Sequence, residues 1–118
     1  DNHLAALRKQ GVDLKGIISR ARHKAPANLK VETEAKTLEE VQEAVVAEAD
    51  IIMLDNMDLD TMRQAVKIIK GHALIEASGG VNLGNVRAIA ETGVNLIAIG
   101  ALTHSAKALD ISLELQTD

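Results

Sequence analysis

The feature that most constrains this chain is a repeat of strand ends. Short apolar runs close on a polar or glycine residue at Glu34, Asp55, Ser78 and Gly100, at intervals of 21, 23 and 22 residues. Amphipathic segments of helical period lie between them, so the chain reads as successive βα units of a parallel sheet. Strands are expected at 29–35, 50–55, 73–78 and 95–101, with helices near 13–25, 38–49, 59–70, 83–92 and, more briefly, 105–109. Candidate caps agree: Thr37 with Glu40 forms a capping box, and Asp58 and Asn82 stand at N-cap positions. The tail "ALDISLELQ" instead alternates Leu109, Ile111, Leu113 and Leu115 with polar residues, the pattern of an extra, half-buried strand.

Alternation along each strand sorts the side chains into two faces. Glu34, Asp55, Ser78 and Gly100 share one face, and Glu32, Met53, Glu76 and Ala98 form a second layer below them. The other face holds Val31, Thr33, Ile52, Leu54, Ile75, Ala77, Ile97 and Ile99, a set suited to packing under helices. In a (β/α) barrel the polar set lines the interior, and its upper layer lies at the mouth where such folds place their chemistry. The expected fold is therefore α/β: a partial (β/α) barrel of about four parallel strands with flanking helices and a C-terminal extra strand, one domain over 1–118. Four strands do not close an eight-strand barrel, so further chain, a second copy or a rearrangement must cover the edges.

Composition narrows the partners. A chain of 118 residues, 47% hydrophobic and 25% charged, has the balance of one globular domain. Its formal net charge of −4 argues against nucleic-acid binding through a basic surface, and no apolar run reaches the roughly 20 residues of a membrane span. Without cysteine there is neither a disulfide framework nor a thiolate nucleophile, and the cytoplasm is the expected compartment. The chain has no Phe, Tyr or Trp and opens on Asp1, which leads us to expect a fragment or an engineered chain.

Glu34 and Asp55 are candidates for general acid or base, for ligands of a metal that bridges a phosphate, or for hydrogen-bond partners of sugar hydroxyls. Glu32 and Glu76 lie deeper, where an ionised carboxylate needs a cation. None is supplied by these strands, so Lys or Arg is expected from elsewhere. Ser78, Gly79 and Gly80, followed by Asn82 as helix start, suggest a phosphate seat, as do Gly100, Ala101 and His104 after the next strand. In barrels the loops after the last two strands commonly form that seat. His104 is read as a phosphate contact or a helix cap, and His3 as a loop-orienting group. The histidines lack zinc-ligand spacing, and His23, His72, Lys30, Arg63, Arg87 and Lys107 read as solvated.

The blocks "DNH", "VETEAKTLEEV", "ADIIMLDN", "LIEASGGV" and "ETGVNLIAIGALTHSAKALDISLEL" resemble the C-terminal portion of quinolinate phosphoribosyltransferase, or carboxylating nicotinate-nucleotide pyrophosphorylase. The resemblance implies an enzyme of NAD biosynthesis that joins quinolinate to phosphoribosyl pyrophosphate with Mg²⁺, releasing pyrophosphate and CO₂ and giving nicotinate mononucleotide. It implies a sandwich domain before an incomplete barrel, assembled as a homodimer. By resemblance, Glu34 and Asp55 are catalytic and lie about the ribose and metal-bound phosphates, while Ser78, Gly79, Gly80, Gly100, Ala101 and His104 make up the phosphate site. The family's lysine before Asp-Asn-His is not in this chain, nor are the basic residues that bind the two carboxylates of quinolinate. Met57 and Leu96 stand where aromatics are frequent, Thr33 where a hydrophobic residue is, and Glu48 where a glycine often is. The isolated chain is therefore expected to be inactive. The alternative expectation is a structural half-barrel that self-associates without catalysis.

Overall fold

The computed structural model describes residues 13–100. The expected helix at 105–109, the tail strand, His3, Ala101, His104 and Lys107 lie outside the described residues. Helix α1 (Leu14–Lys24) begins where the Asp13 carboxylate accepts the Gly16 N–H at 2.9 Å, and it buries Leu14 and Ile18. Strand β1 (Glu32–Ala35) leads to helix α2 (Leu38–Val46) through a modified capping box. Thr37 Oγ1 accepts the Glu40 N–H at 3.2 Å, whereas the Glu40 carboxylate reaches back to the Lys36 N–H at 2.7 Å, one residue earlier than the usual box. Strand β2 (Ile51–Asp55) precedes helix α3 (Leu59–Ile69), which Asp58 caps through the Thr61 N–H at 2.8 Å. Strand β3 (Leu74–Ser78), helix α4 (Val86–Ala90) and strand β4 (Leu96–Ile97) complete the order.

Two expected strands are shorter than the apolar runs that signalled them. Leu29 closes a turn, with its N–H on the Pro26 carbonyl, and Val31 meets β2 only through its carbonyl, which accepts the Asp50 and Ile51 N–H groups, while its own N–H goes to the Asp50 carboxylate. At β4 the ladder still reaches Asn95 and Ala98 through bonds to Ile75 and Ala77, each 2.9 Å. Helix α4 begins at Val86, three residues beyond the expected start. Asn82 is the reason: its Oδ1 accepts the Gly84 and Asn85 N–H groups, so its side chain closes a local turn in place of capping a helix.

The four strands form one parallel sheet in the order β1-β2-β3-β4. Of the helix-facing set, Thr33, Ile52, Leu54, Ile75 and Ala77 are buried, and Val31, Ile97 and Ile99 are partly buried against the same core. The layers are not flat rows, however. Glu34 pairs with Met53, two residues before Asp55; Asp55 pairs squarely with Ser78; Glu76 pairs with Leu96, two before Ala98. Stepped pairing of this kind is what a sheet needs to tilt its strands around a barrel axis. A step of two at every other strand pair averages one per strand, the average of an eight-strand barrel with shear 8.

On the helix-facing side Ile52, Leu54, Val41, Met62 and Ile69 are fully or almost fully buried, and Ala44, Ala65 and Ala77 fill the narrow gaps among them. Small residues allow α2 and α3 to sit close to the sheet without aromatic spacers. Helix α2 ends in a Schellman motif: Glu48 N–H reaches the Val45 carbonyl at 3.0 Å and Ala49 N–H reaches Ala44 at 3.1 Å. Glu48 thus takes the left-handed position, at φ 60°, that glycine occupies at least cost. Arg22 of α1 binds both the Glu48 carbonyl and the Asp50 carboxylate, fastening α1 to the turn before β2.

Candidate functional site at the strand ends

The sheet's inner face brings Glu34, Asp55 and Ser78 to adjacent strand ends, each half-buried. Lys36, one residue beyond β1, folds its ammonium back between the two acids, 3.2 Å from Glu34 Oε1 and 3.6 Å from Asp55 Oδ2. The Glu34 carboxylate, by hydrogen bond and charge, and then Asp55 hold that ammonium above its ordinary range. Sequence reasoning missed Lys36 because a lysine just after a strand reads as solvated.

Asn56 was missed as well. Its Nδ2 donates to Asp55 Oδ1 at 3.1 Å, and its backbone N–H donates to the Ser78 carbonyl at 2.9 Å. One residue therefore orients the acid and ties the β2 loop to the β3 loop. It does so at φ 53°, a left-handed conformation that Asn tolerates better than most side chains. The signal available was its place directly after an acidic strand end.

Gly79 and Gly80 follow at φ 83° and φ 66°. Asn56 lies so close over Gly79 that an added Cβ would come within 2.6 Å of its side chain, so both the backbone angle and the space there call for glycine. The Gly80 carbonyl accepts Asn85 Nδ2 at 2.9 Å, while among the described residues neither glycine N–H has an acceptor. The helix that follows is a five-residue one, so any anion-binding capacity resides in the glycine turn and not in a helix end. A groove of about 710 Å³ borders this turn, lined by Asn56, Met57, Met62, Gly79, Gly80 and Ile89 among others; Glu34, Asp55 and Ser78 do not line it. Gly100 is exposed and lies three residues beyond the end of β4, in helical conformation, not at the strand end expected from the sequence.

Below the mouth, Glu32 and Glu76 have no ion-pair partner among the described residues. Burial, with the Glu32 charge second, raises the Glu76 carboxyl above its ordinary 4.5. A carboxyl raised in the folded state binds its proton more tightly there than in the unfolded chain. Stability therefore falls as pH rises from that ordinary value through the raised one, and levels off above it. Glu76→Gln is expected to flatten this fall and raise the melting temperature at pH 7; thermal melts at pH 4 to 8 of both proteins check it. His23 and His72 are exposed, and Arg63 and Arg87 pair along their own helices with Asp60 and Glu91, as expected of solvated groups.

Parallel βα units with stepped pairing, and with acids and a glycine turn at the strand ends, define a portion of a (β/α) barrel whose polar face is at its mouth. Residues 1–114 match the family described as quinolinate phosphoribosyl transferase, C-terminal domain, and the chain belongs to that family. A probable carboxylating nicotinate-nucleotide pyrophosphorylase of Bacillus subtilis is 43% identical over 115 residues, covering 98% of this chain and 38% of that protein. A mitochondrial decarboxylating quinolinate phosphoribosyltransferase of Nicotiana glauca is 39% identical over 133 residues, covering all of this chain and 38% of the relative. Among solved structures, NadC from Streptococcus pyogenes superposes with a TM-score of 0.80 at 39% identity, covering 93% of this chain and 37% of that one. The chain thus spans under two-fifths of the length of these relatives.

Proposed function

We propose that this chain carries the phosphoribosyl-binding half of a quinolinate phosphoribosyltransferase. The observation that supports the reading is the convergence of Glu34 and Asp55 on one ammonium beside the Ser78-Gly79-Gly80 turn, in a chain of this family. The complete enzyme transfers phosphoribose from phosphoribosyl pyrophosphate to quinolinate and releases pyrophosphate and CO₂, giving nicotinate mononucleotide. In such a transfer pyrophosphate leaves an oxocarbenium-like ribosyl carbon. Glu34 and Asp55 stabilise that positive charge and hold the ribose hydroxyls, while the N–H groups of Gly79 and Gly80 receive phosphate oxygens. Gly100, Ala101 and His104 complete the phosphate seat.

The residues fit Mg²⁺ in a limited way. Two carboxylates that already converge on a cation are a hard-oxygen donor pair, but among the described residues no group of three or more acids or histidines surrounds one point. Glu34 and Asp55 would therefore hold a metal that the substrate's phosphates mainly carry; when bound, it draws charge from the leaving pyrophosphate. The basic residues that the family resemblance assigns to quinolinate are not among these 118, so phosphoribosyl pyrophosphate is the ligand we assign to this half. We further propose a homo-oligomer in the cytoplasm. No helix among the described residues is long and apolar enough to cross a membrane. Plant relatives are named as mitochondrial or chloroplastic, so compartment varies within the family.

The test is calorimetric titration of the full chain with phosphoribosyl pyrophosphate and Mg²⁺. Ser78→Ala is expected to weaken binding about tenfold, the loss of one hydrogen bond to a charged group. Unchanged affinity would remove the Ser78 hydroxyl from the phosphate seat, and a parent chain that shows no binding would overturn the seat itself.

A further inference from the structure

We infer that Lys36 is the built-in counter-ion of the Glu34–Asp55 pair: a positioning residue that keeps the two acids convergent and denies the gap between them to a bare divalent cation. The inference rests on reading this pair as functional, and it goes beyond that reading in assigning a task to Lys36. Two carboxylates on neighbouring strands repel each other unless a cation lies between them. The Lys36 ammonium contacts both, 3.2 Å from Glu34 and 3.6 Å from Asp55.

Its geometry is prepared from two sides. The Lys36 N–H is bound by the Glu40 carboxylate at 2.7 Å, which fixes the backbone at the start of α2 and sends the side chain back over the mouth. Asn56 occupies Asp55 Oδ1, leaving Oδ2 turned toward the ammonium. With Lys36 in place the trio carries a net charge of about −1, and a divalent ion entering alone meets that charge and a positive neighbour. Without Lys36 it meets two acids. The lysine side chain is 65% exposed, on a flexible stem, so it can swing aside when a partner of its own arrives. A metal that enters on a polyphosphate brings that partner, because a phosphate oxygen takes the displaced ammonium. Lys36 thereby favours metal delivered with substrate over metal bound in advance.

The test uses Mn²⁺ alone, titrated into the full chain and followed by its paramagnetic resonance signal, with no phosphate compound present. Lys36→Gln is expected to bind Mn²⁺ about five- to tenfold more tightly than the parent, on the order of one unit charge at a partly exposed site. Lys36→Arg keeps the parent's affinity, and adding Asp55→Asn to Lys36→Gln abolishes the gain. Lys36→Met carries the same expectation as Gln, should that variant not fold. Equal affinity in parent and Lys36→Gln, or a gain that survives Asp55→Asn, overturns the inference. Because no phosphoribosyl compound enters this titration, its failure is distinct from a failure of the Ser78 experiment.

Discussion

Gly79→Ala is expected to destabilise the chain by about 2–3 kcal/mol, roughly 1 kcal/mol more than the same change at Gly80. Both glycines are left-handed, and a side chain in that conformation costs roughly 1–2 kcal/mol. The difference is space. At Gly80 the nearest atom to an added Cβ is Asn56 Oδ1 at 3.7 Å, an ordinary contact, whereas at Gly79 three atoms of the Asn56 side chain stand within 2.7 Å. Asn56 must move, and in moving it releases Asp55 Oδ1. The loss should therefore be partly recovered by adding Asn56→Gly, since residue 56 is itself left-handed and glycine suits it. Urea denaturation of the two single variants and the double variant checks this. Equal losses at 79 and 80 would mean that Asn56 yields without consequence and that the contact between the two loops is incidental.

The second large effect belongs to the core. Leu54 is fully buried on the helix-facing side of β2, with Val41, Met62 and Ile69 similarly enclosed in the same core. Leu54→Ala removes apolar contact and leaves a cavity, at about 2–5 kcal/mol. Against the roughly 5–15 kcal/mol that holds a typical domain together, this is a large share. A core of this kind has no ring beside the site to slump into the space, because the chain contains no aromatic residue. Leu83, 79% exposed, provides the contrast: its replacement by Ala should change stability by no more than about 0.5 kcal/mol. Far-ultraviolet circular dichroism in urea reads both variants, and a loss below 1 kcal/mol at Leu54 would mean that α2 and α3 close onto the sheet after truncation.

The two faces of the sheet were legible in the sequence because alternation has a period of two and a buried face tolerates few exceptions. Ile52, Leu54, Ile75 and Ala77 all lie where the pattern puts them. The relative height of the strands was not legible, since a slip of two residues leaves every side chain on its own face. Glu34 consequently faces Met53, not Asp55, across the ladder. The helix start after Gly80 was misread because Asn serves equally as a helix cap and as the head of a local turn, and Gly84 decides for the turn by donating to Asn82 at 2.8 Å. At the strand ends, acids and glycines announce themselves by type and spacing. Lys36 and Asn56 are visible only through the partners that the fold brings to them from another strand or loop.

The stepped pairing also makes the two outer strands of the described sheet unequal to arbitrary neighbours. Steps of two, none and two accumulate to four across β1 to β4. An eight-strand barrel of shear 8 allows four more in the remaining circuit. If another four-stranded half with the same internal steps completes the circuit, the offsets at the two seams, beside β4 and beside β1, must cancel. A slip of two residues at one seam that the other does not undo would leave the ring unable to meet itself, so the ladder of this sheet limits what can close it.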